Sequence, residues 1–318
     1  MARGRSVPVK PAGEETAPST EWTLVWADEF EGSELDRSKW DYDIGNGFYD
    51  YRVHAWVPGW GNEELQYYTA ERANVEVRDS CVHLRAIKES LHGCGYTSGR
   101  LKTRRRDGSA LFTKQFGRFE FRARVPHGKG LWPALWMLPQ DDAYGGWAAS
   151  GEIDVMEIVG EKPGECLGSV HFGSTFPKRE LVTHVHKIPN GGTVADFHVY
   201  AVEWEPGEIR WLFDGETWAT QSFWWSSSVT RNGKGVVARS ARDLNPWPAP
   251  FDQPFYLLMN VAVGGNFPGA PNAATRFPAE LIVDYVRVYD RVGGYGMPKP
   301  RGKGRFPYQK KKVRKRQP

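Results

Sequence analysis

The stretch GRFEFRARVP, residues 117–126, alternates without a break. Phe119, Phe121, Ala123 and Val125 fall on one side, and Arg118, Glu120, Arg122 and Arg124 on the other. That is the period of a strand with one buried face. The pattern recurs along the chain. VEVRDSCVHLRAIK (75–88) reads as strand, turn and strand, and FHVYAVEWEPGEIRWLFDGETWATQ (197–221) as three strands joined by Pro-Gly and Asp-Gly turns. FYLLMNVAVGG (255–265) and ELIVDYVRVYD (280–290) complete the set. No stretch offers the caps and 3.6-residue period of a long helix. A chain of 318 residues built this way is expected to close as an all-β sandwich or barrel.

Composition sets the limits of that domain. Residues 1–20 are Pro, Ala, Thr and charge without periodicity, so a disordered lead-in is expected there; the β domain takes residues 21–291, and residues 292–318 form a Gly/Pro-punctuated basic tail, also expected to be disordered. The net charge of +4 comes from that tail, whose last eighteen residues hold nine Lys or Arg and no acid. The rest of the chain is acidic, so the overall charge does not describe the domain's partner. KKKVRKR (310–316) would contact any polyanionic surface through counterion release, with no specificity for a nucleic acid. Three cysteines, Cys81, Cys94 and Cys166, are too few for a disulfide scaffold. Either Cys81 and Cys94 pair, or all are free thiols in the interior. No apolar run is long enough for a transmembrane segment. The N-terminus shows no apolar signal-peptide region, so the cellular address stays open, and a monomer is expected. Aromatic content is high, with 14 Trp, 13 Tyr and 16 Phe. Many of the tryptophans lie in Gly-rich loops, where flat rings suit ligands with apolar faces such as sugars.

GEIDVMEIVG, residues 151–160, poses a geometric problem. On an ideal strand Glu152 and Asp154 share a face, while Glu157 has the opposite parity and would enter the core beside Ile153 and Val155. A bare glutamate there is costly to bury. One extra residue taken up as a β-bulge at Val155–Met156 would return Glu157 to the face of the other two acids. Three carboxylates together repel, which raises at least one pKa. Glycoside hydrolysis uses that asymmetry, needing one ionised carboxylate at the anomeric carbon and one protonated carboxyl at the leaving oxygen. On this pattern alone a solvated acidic face or a cation site is the better reading.

The surroundings narrow the choice. VWADEF, WGNEELQYYT, SGRLKT, FGRFEFRARVP, GLWPALWMLP, GGWAASGEID, SVHFG, FDQPFYLLMNVAVGGNFPG and VDYVRVY occur in order between Trp22 and Tyr289. Together they resemble glycoside hydrolase family 16, in its laminarinase-like endo-β-1,3-glucanase branch. That branch carries E-x-D-x-x-E after Ser-Gly, where lichenases and xyloglucan transferases carry E-x-D-x-E. The resemblance implies a β-jelly-roll sandwich of two antiparallel sheets with a concave glycan-binding cleft, and a retaining double displacement. Glu152 would be the nucleophile, Glu157 the general acid/base, and Asp154 a hydrogen-bond partner of the nucleophile. Mixed-linkage glucanase and agarase- or carrageenase-like activities belong to the same family, and non-catalytic β-glucan recognition proteins share the fold. The resemblance also implies an extracellular enzyme.

By position, the resemblance makes Trp132, Trp136, Trp147, His171, Asn62, Glu64, Arg100 and Asn260 substrate-binding candidates. Against this stand a core role for Trp136, beside Leu135 and Met137, and plain loop-capping roles for Asn62, Glu64, Arg100 and Asn260. Asp284 matches a position that binds a structural Ca2+ in the family, with backbone oxygens near DEFEG; an ordinary strand aspartate is the alternative. No cofactor is implied for catalysis. Two departures bear on the subsites: Phe267 stands where family members often have Trp, and Ala148 where they often have Pro.

Overall fold

The alternating segments pair into two large antiparallel sheets laid face to face, the expected β-jelly-roll sandwich. The structure is a computed structural model that describes residues 21–309. The expected lead-in (1–20) and the KKKVRKR run lie outside the described residues. The first sheet runs in the order Glu216–Gln221, Glu208–Phe213, His198–Glu205, Gly117–Arg124, Ala279–Arg291, Cys81–Ala86 and Val75–Arg78; Trp22–Asp28 also pairs with Ala279–Arg291. The second runs Arg179–Lys187, Glu165–Ser174, Glu152–Glu157, Leu131–Pro139, Phe255–Val263, Arg100–Lys102 and Asp41–Tyr42.

Period-2 alternation decides what each sheet buries. Phe119, Phe121 and Ala123 point inward from the first sheet, and Leu135, Met137 and Ile153 from the second, all without exposed surface. Trp204, Trp211 and Trp224 fill the space between. The strand Phe255–Val263, in the middle of the second sheet, is buried on both faces. The alternatives for the cysteines resolve against a Cys81–Cys94 bridge; Cys81 and Cys166 are buried and Cys94 is half-buried. Among the described residues no helix is long and apolar enough to cross a membrane.

Residues 292–309 depart from the expectation of a disordered tail. Lys299 N donates to Pro206 O at 2.9 Å, Trp247 Nε1 to Lys299 O at 2.9 Å, and Gly302 N to Ser222 O at 2.7 Å. Phe306 packs edge-on against Phe223, centroids 5.3 Å apart. The glycines that read as linker residues permit close approach instead. A Cβ at Gly302 would meet Ser222, and one at Gly304 would stand 2.1 Å from the Phe223 ring.

Residues 47–58 also have a defined form. Gly47–Asp50 and Ala55–Pro58 pair as a separate two-stranded hairpin.

Candidate active site

The parity problem is solved as the sequence predicts. Asp154 pairs with Ser169 and Glu157 with Leu167, so Val155 and Met156 stand opposite the single residue Gly168. The same shift appears against the other neighbour, where Met156 faces Leu135 and Asp154 faces Trp136. Ile153, Val155, Met156 and Ile158 are all buried in the core, and the three acids share the opposite face. A bulge leaves ladder groups without strand partners. Here the first sheet supplies one: Trp211 Nε1 donates to Asp154 O at 2.8 Å. Gly168 makes room, since a Cβ there would lie 2.4 Å from the Trp211 ring.

Each outer acid receives an indole N–H. Trp147 Nε1 donates to Glu152 Oε2 at 2.7 Å, and Trp132 Nε1 to Glu157 Oε1 at 3.0 Å. Ser169 Oγ adds a bond to Glu157 Oε2 at 3.2 Å and contacts Thr183 Oγ1 at 3.0 Å. His171, paired with Glu152 across the strands, holds Nε2 at 3.4 Å from Glu152 Oε1 and 3.3 Å from Asp154 Oδ2. Asp154 is 2% exposed, and its Oδ2 has no hydrogen-bond partner.

Burial dominates the electrostatics. It pushes Glu152 up to about 8 against the pull of His171, with Asp154 and Glu157 adding repulsion. Burial raises Asp154 well above the carboxylate range, followed by the charge of Glu157; its hydrogen bond with Glu152 pulls it back. Glu157 is also raised by burial, and His171, Trp132 and Ser169 oppose the shift. Glu152 has donors and Asp154 Oδ2 has none, so of this adjacent pair Asp154 holds its proton the more firmly and Glu152 is the first to ionise. Glu152, Asp154 and His171 are the one group among the described residues with metal-ligand spacing. Their contacts are equally those of a proton-sharing cluster.

Further along the same face the candidate binding residues come together. Trp136 is half-exposed rather than core, and its Nε1 donates to Asn260 Oδ1 at 2.8 Å. Asn260 Nδ2 donates to Tyr68 Oη at 3.1 Å. Arg100 is buried, with Nε 2.9 Å from Asp43 Oδ2, and its guanidinium lies between the rings of Trp60 and Trp136 at 4.3 and 4.8 Å. Glu64 accepts from Asn62 Nδ2 at 3.1 Å and Gln66 Nε2 at 2.6 Å, and burial raises its pKa. The contacts of Arg100, Trp136 and Asn260 link separate strands into one row, whereas Asn62 and Glu64 bond within their own segment, as loop capping predicts. Phe267, in the place of the expected Trp, is 44% exposed and packs 5.2 Å from Trp132, so an aromatic surface remains there.

The sequence reading missed Ser169, Trp60, Tyr68 and Asp43. Ser169 had a signal, since it lies two residues before His171 and so shares its face. Asp284 behaves differently from the calcium expectation. Its Oδ2 accepts from Arg122 Nη1 at 2.5 Å. Calcium takes six to eight oxygen ligands, and a carboxylate already held by a guanidinium is a poor fit; no step below uses the metal.

Comparison with known proteins agrees with this geometry. The model of the family "Glycosyl hydrolases family 16" matches residues 60–223. The chain is 44% identical over 278 residues to "Glucan endo-1,3-beta-glucosidase A1" of Niallia circulans, covering 84% of this chain and 37% of that protein. It is 43% identical to the "Beta-glucanase" of Rhodothermus marinus, covering 84% of this chain and 85% of that one. The X-ray structure of the laminarinase from Rhodothermus marinus superimposes with a TM-score of 0.68 at 40% identity, over 86% of this chain and all of that one (100%). A "Beta-1,3-glucan-binding protein" of Penaeus monodon is 30% identical over 76% of this chain.

Proposed function

The chain belongs to glycosyl hydrolases family 16, and from that premise we propose that it is a retaining endo-β-1,3-glucanase acting on laminarin-type β-glucans. One observation carries the reading: the bulge at Val155–Met156 brings three acids to one face and gives each outer acid its own indole donor.

The roles follow from those contacts. Glu152 reacts in its ionised form, steadied by Trp147, and attacks the anomeric carbon. Glu157 gives its proton to the glycosidic oxygen, so the leaving sugar departs as a neutral alcohol. Asp154 keeps its proton and hydrogen-bonds Glu152, which spreads the nucleophile's charge. In the second half Glu157, now a carboxylate, takes a proton from water, and the hydroxide so formed displaces Glu152 with net retention. This route requires the two outer carboxyls about 5–5.5 Å apart. The row Trp136, Arg100 and Asn260 lines the path of the sugar chain, and His171 holds the pair Glu152 and Asp154 from the next strand.

Three acids in place favour turnover over the binding-only activity that the Penaeus relative's name describes. The deciding experiment incubates the protein with laminarin beside Glu152→Gln and Glu157→Gln. Internal cleavage by the parent and a loss of about 10²–10⁴-fold in each variant is the expected result. Binding of laminarin without turnover by the parent would replace the enzyme with a recognition module. Cleavage of agarose or lichenan but not laminarin would move the substrate within the family. The protein acts as a monomer and its basic end contacts polyanionic surfaces; sedimentation, and heparin retention of a chain lacking residues 310–318, test these two points.

A further inference from the structure

The hairpin Gly47–Asp50/Ala55–Pro58 has two unlike faces. Phe48 and Val57 pair on one and turn toward Trp60 and Gly61, with Phe48 and Trp60 ring centroids 6.3 Å apart. Tyr49 and Trp56 pair on the other, and Tyr51 meets Tyr49 edge-on at 4.9 Å. These three rings are 43, 51 and 79% exposed. An isolated hairpin is marginally stable at best, so what holds this one matters.

Two ties fix it, and both end on the cleft. At its base Phe48 sits on Trp60, whose ring covers Arg100 beside Trp136. At its tip the Asp50 carboxylate receives Arg52 N, Nε and Nη2, each at 2.9 Å. The guanidinium held this way lies on Gly146 so closely that a Cβ there would fall 0.8 Å from Nη1. Gly146 immediately precedes Trp147, the donor to Glu152. The tip also reaches Gly233, where a Cβ would lie 3.6 Å from Arg52 O. The hairpin therefore spans from one cleft tryptophan to the neighbour of another.

We propose that the Tyr49–Tyr51–Trp56 face is a second stacking surface for the part of a β-glucan chain that runs beyond the cleft, and that Arg52 fixes the surface in place on Gly146. The inference rests on the β-glucanase reading. Exposed Tyr and Trp offer a flat apolar face to pyranose C–H groups and a polar edge to their hydroxyls. The charges of Asp50 and Arg52 cancel within the tip, which suits a neutral polysaccharide. Phe48 ties the opposite face to Trp60 and Arg52 ties the tip to Gly146, so the hairpin stands beside the Trp60–Arg100–Trp136 row, and a glucan chain leaving that row is what would cover the rings.

The test compares the parent, a Tyr49→Ala/Trp56→Ala double variant and Arg52→Ala on laminarin and on laminaritetraose, with sedimentation of each. The double variant is expected to raise KM on laminarin about 5–10-fold at unchanged kcat. Its KM on the tetrasaccharide should stay within about twofold of the parent. Arg52→Ala should move KM on laminarin in the same direction. Unchanged KM on the polymer, or equal rises on both substrates, overturns the proposal. So does a parent dimer that Trp56→Ala dissolves, which would give the face to a second copy of the chain. A parent that does not cleave laminarin overturns the β-glucanase reading itself, whereas a cleaving parent with unaffected variants overturns this surface alone.

Discussion

Replacing the nucleophile should stabilise the protein, and the pH at which it does so is fixed by the site. Glu152 is pushed from the ordinary 4.5 to about 8, chiefly by burial. The folded protein therefore holds a proton here that the unfolded chain has released between those two values. Stability falls as pH rises wherever the folded state binds more protons. The contribution of Glu152 is thus fully present below about 4.5 and is lost as pH climbs through about 8. At about 1.4 kcal/mol per unit the shift has a ceiling of roughly 5 kcal/mol. Repulsion shared with Asp154 and Glu157, and an effective dielectric well above that of a dry interior, bring the expected gain to about 1–2 kcal/mol. Glu152→Gln keeps the shape and an oxygen for Trp147 Nε1, and its amide can donate to the unpartnered Asp154 Oδ2. Thermal unfolding of parent and variant between about pH 4 and 9 reads the effect directly. The two Tm values should coincide near the acid end and separate by about 2–6 °C in favour of the variant at the alkaline end. A gap that does not change with pH, or a variant less stable throughout, would refute the assignment of a buried, proton-holding Glu152.

Trp147→Phe keeps the ring but removes the N–H on Glu152, and should cost about 10–100-fold in kcat/KM, as expected for a bond to a charged group. Its acid limb in kcat/KM should move to higher pH, because that bond opposes the upward shift of Glu152; an unmoved limb would place Trp147 in packing alone. Deleting residues after Gly296 removes Lys299 O from Trp247 and Phe306 from Phe223, so calorimetry should show a lower Tm. Activity on laminarin at 25 °C should survive the truncation, since none of these contacts touches the acids, and a collapse there would join the segment to the cleft.

How far the molecule was legible varies with the range of the interaction that decides each part. Strands such as Gly117–Arg124 were legible because alternation is local. The bulge was legible too, since burying Glu157 has no inexpensive alternative. Trp136 was ambiguous because Leu135 and Met137 flank it, and only the row formed with Arg100 and Asn260 shows that its ring faces the cleft. Arg100, Asp43 and Trp60 meet through segments forty or more residues apart in part, a proximity no spacing encodes. Residues 292–309 misled for a related reason. Glycine at 302 and 304 reads as freedom in a sequence, but there it is the absence of a side chain that lets one backbone lie on another.

The indole of Trp211 reaches from one sheet to the carbonyl of Asp154 in the other, over the space left by Gly168. The catalytic strand is therefore gauged against the opposite layer of the sandwich. Transplanting GEIDVMEIVG onto another sheet would carry the acids without the ruler that sets them. Any change that slides the layers apart, even one far from the cleft, would be felt first as a loss of register between Glu152 and Glu157.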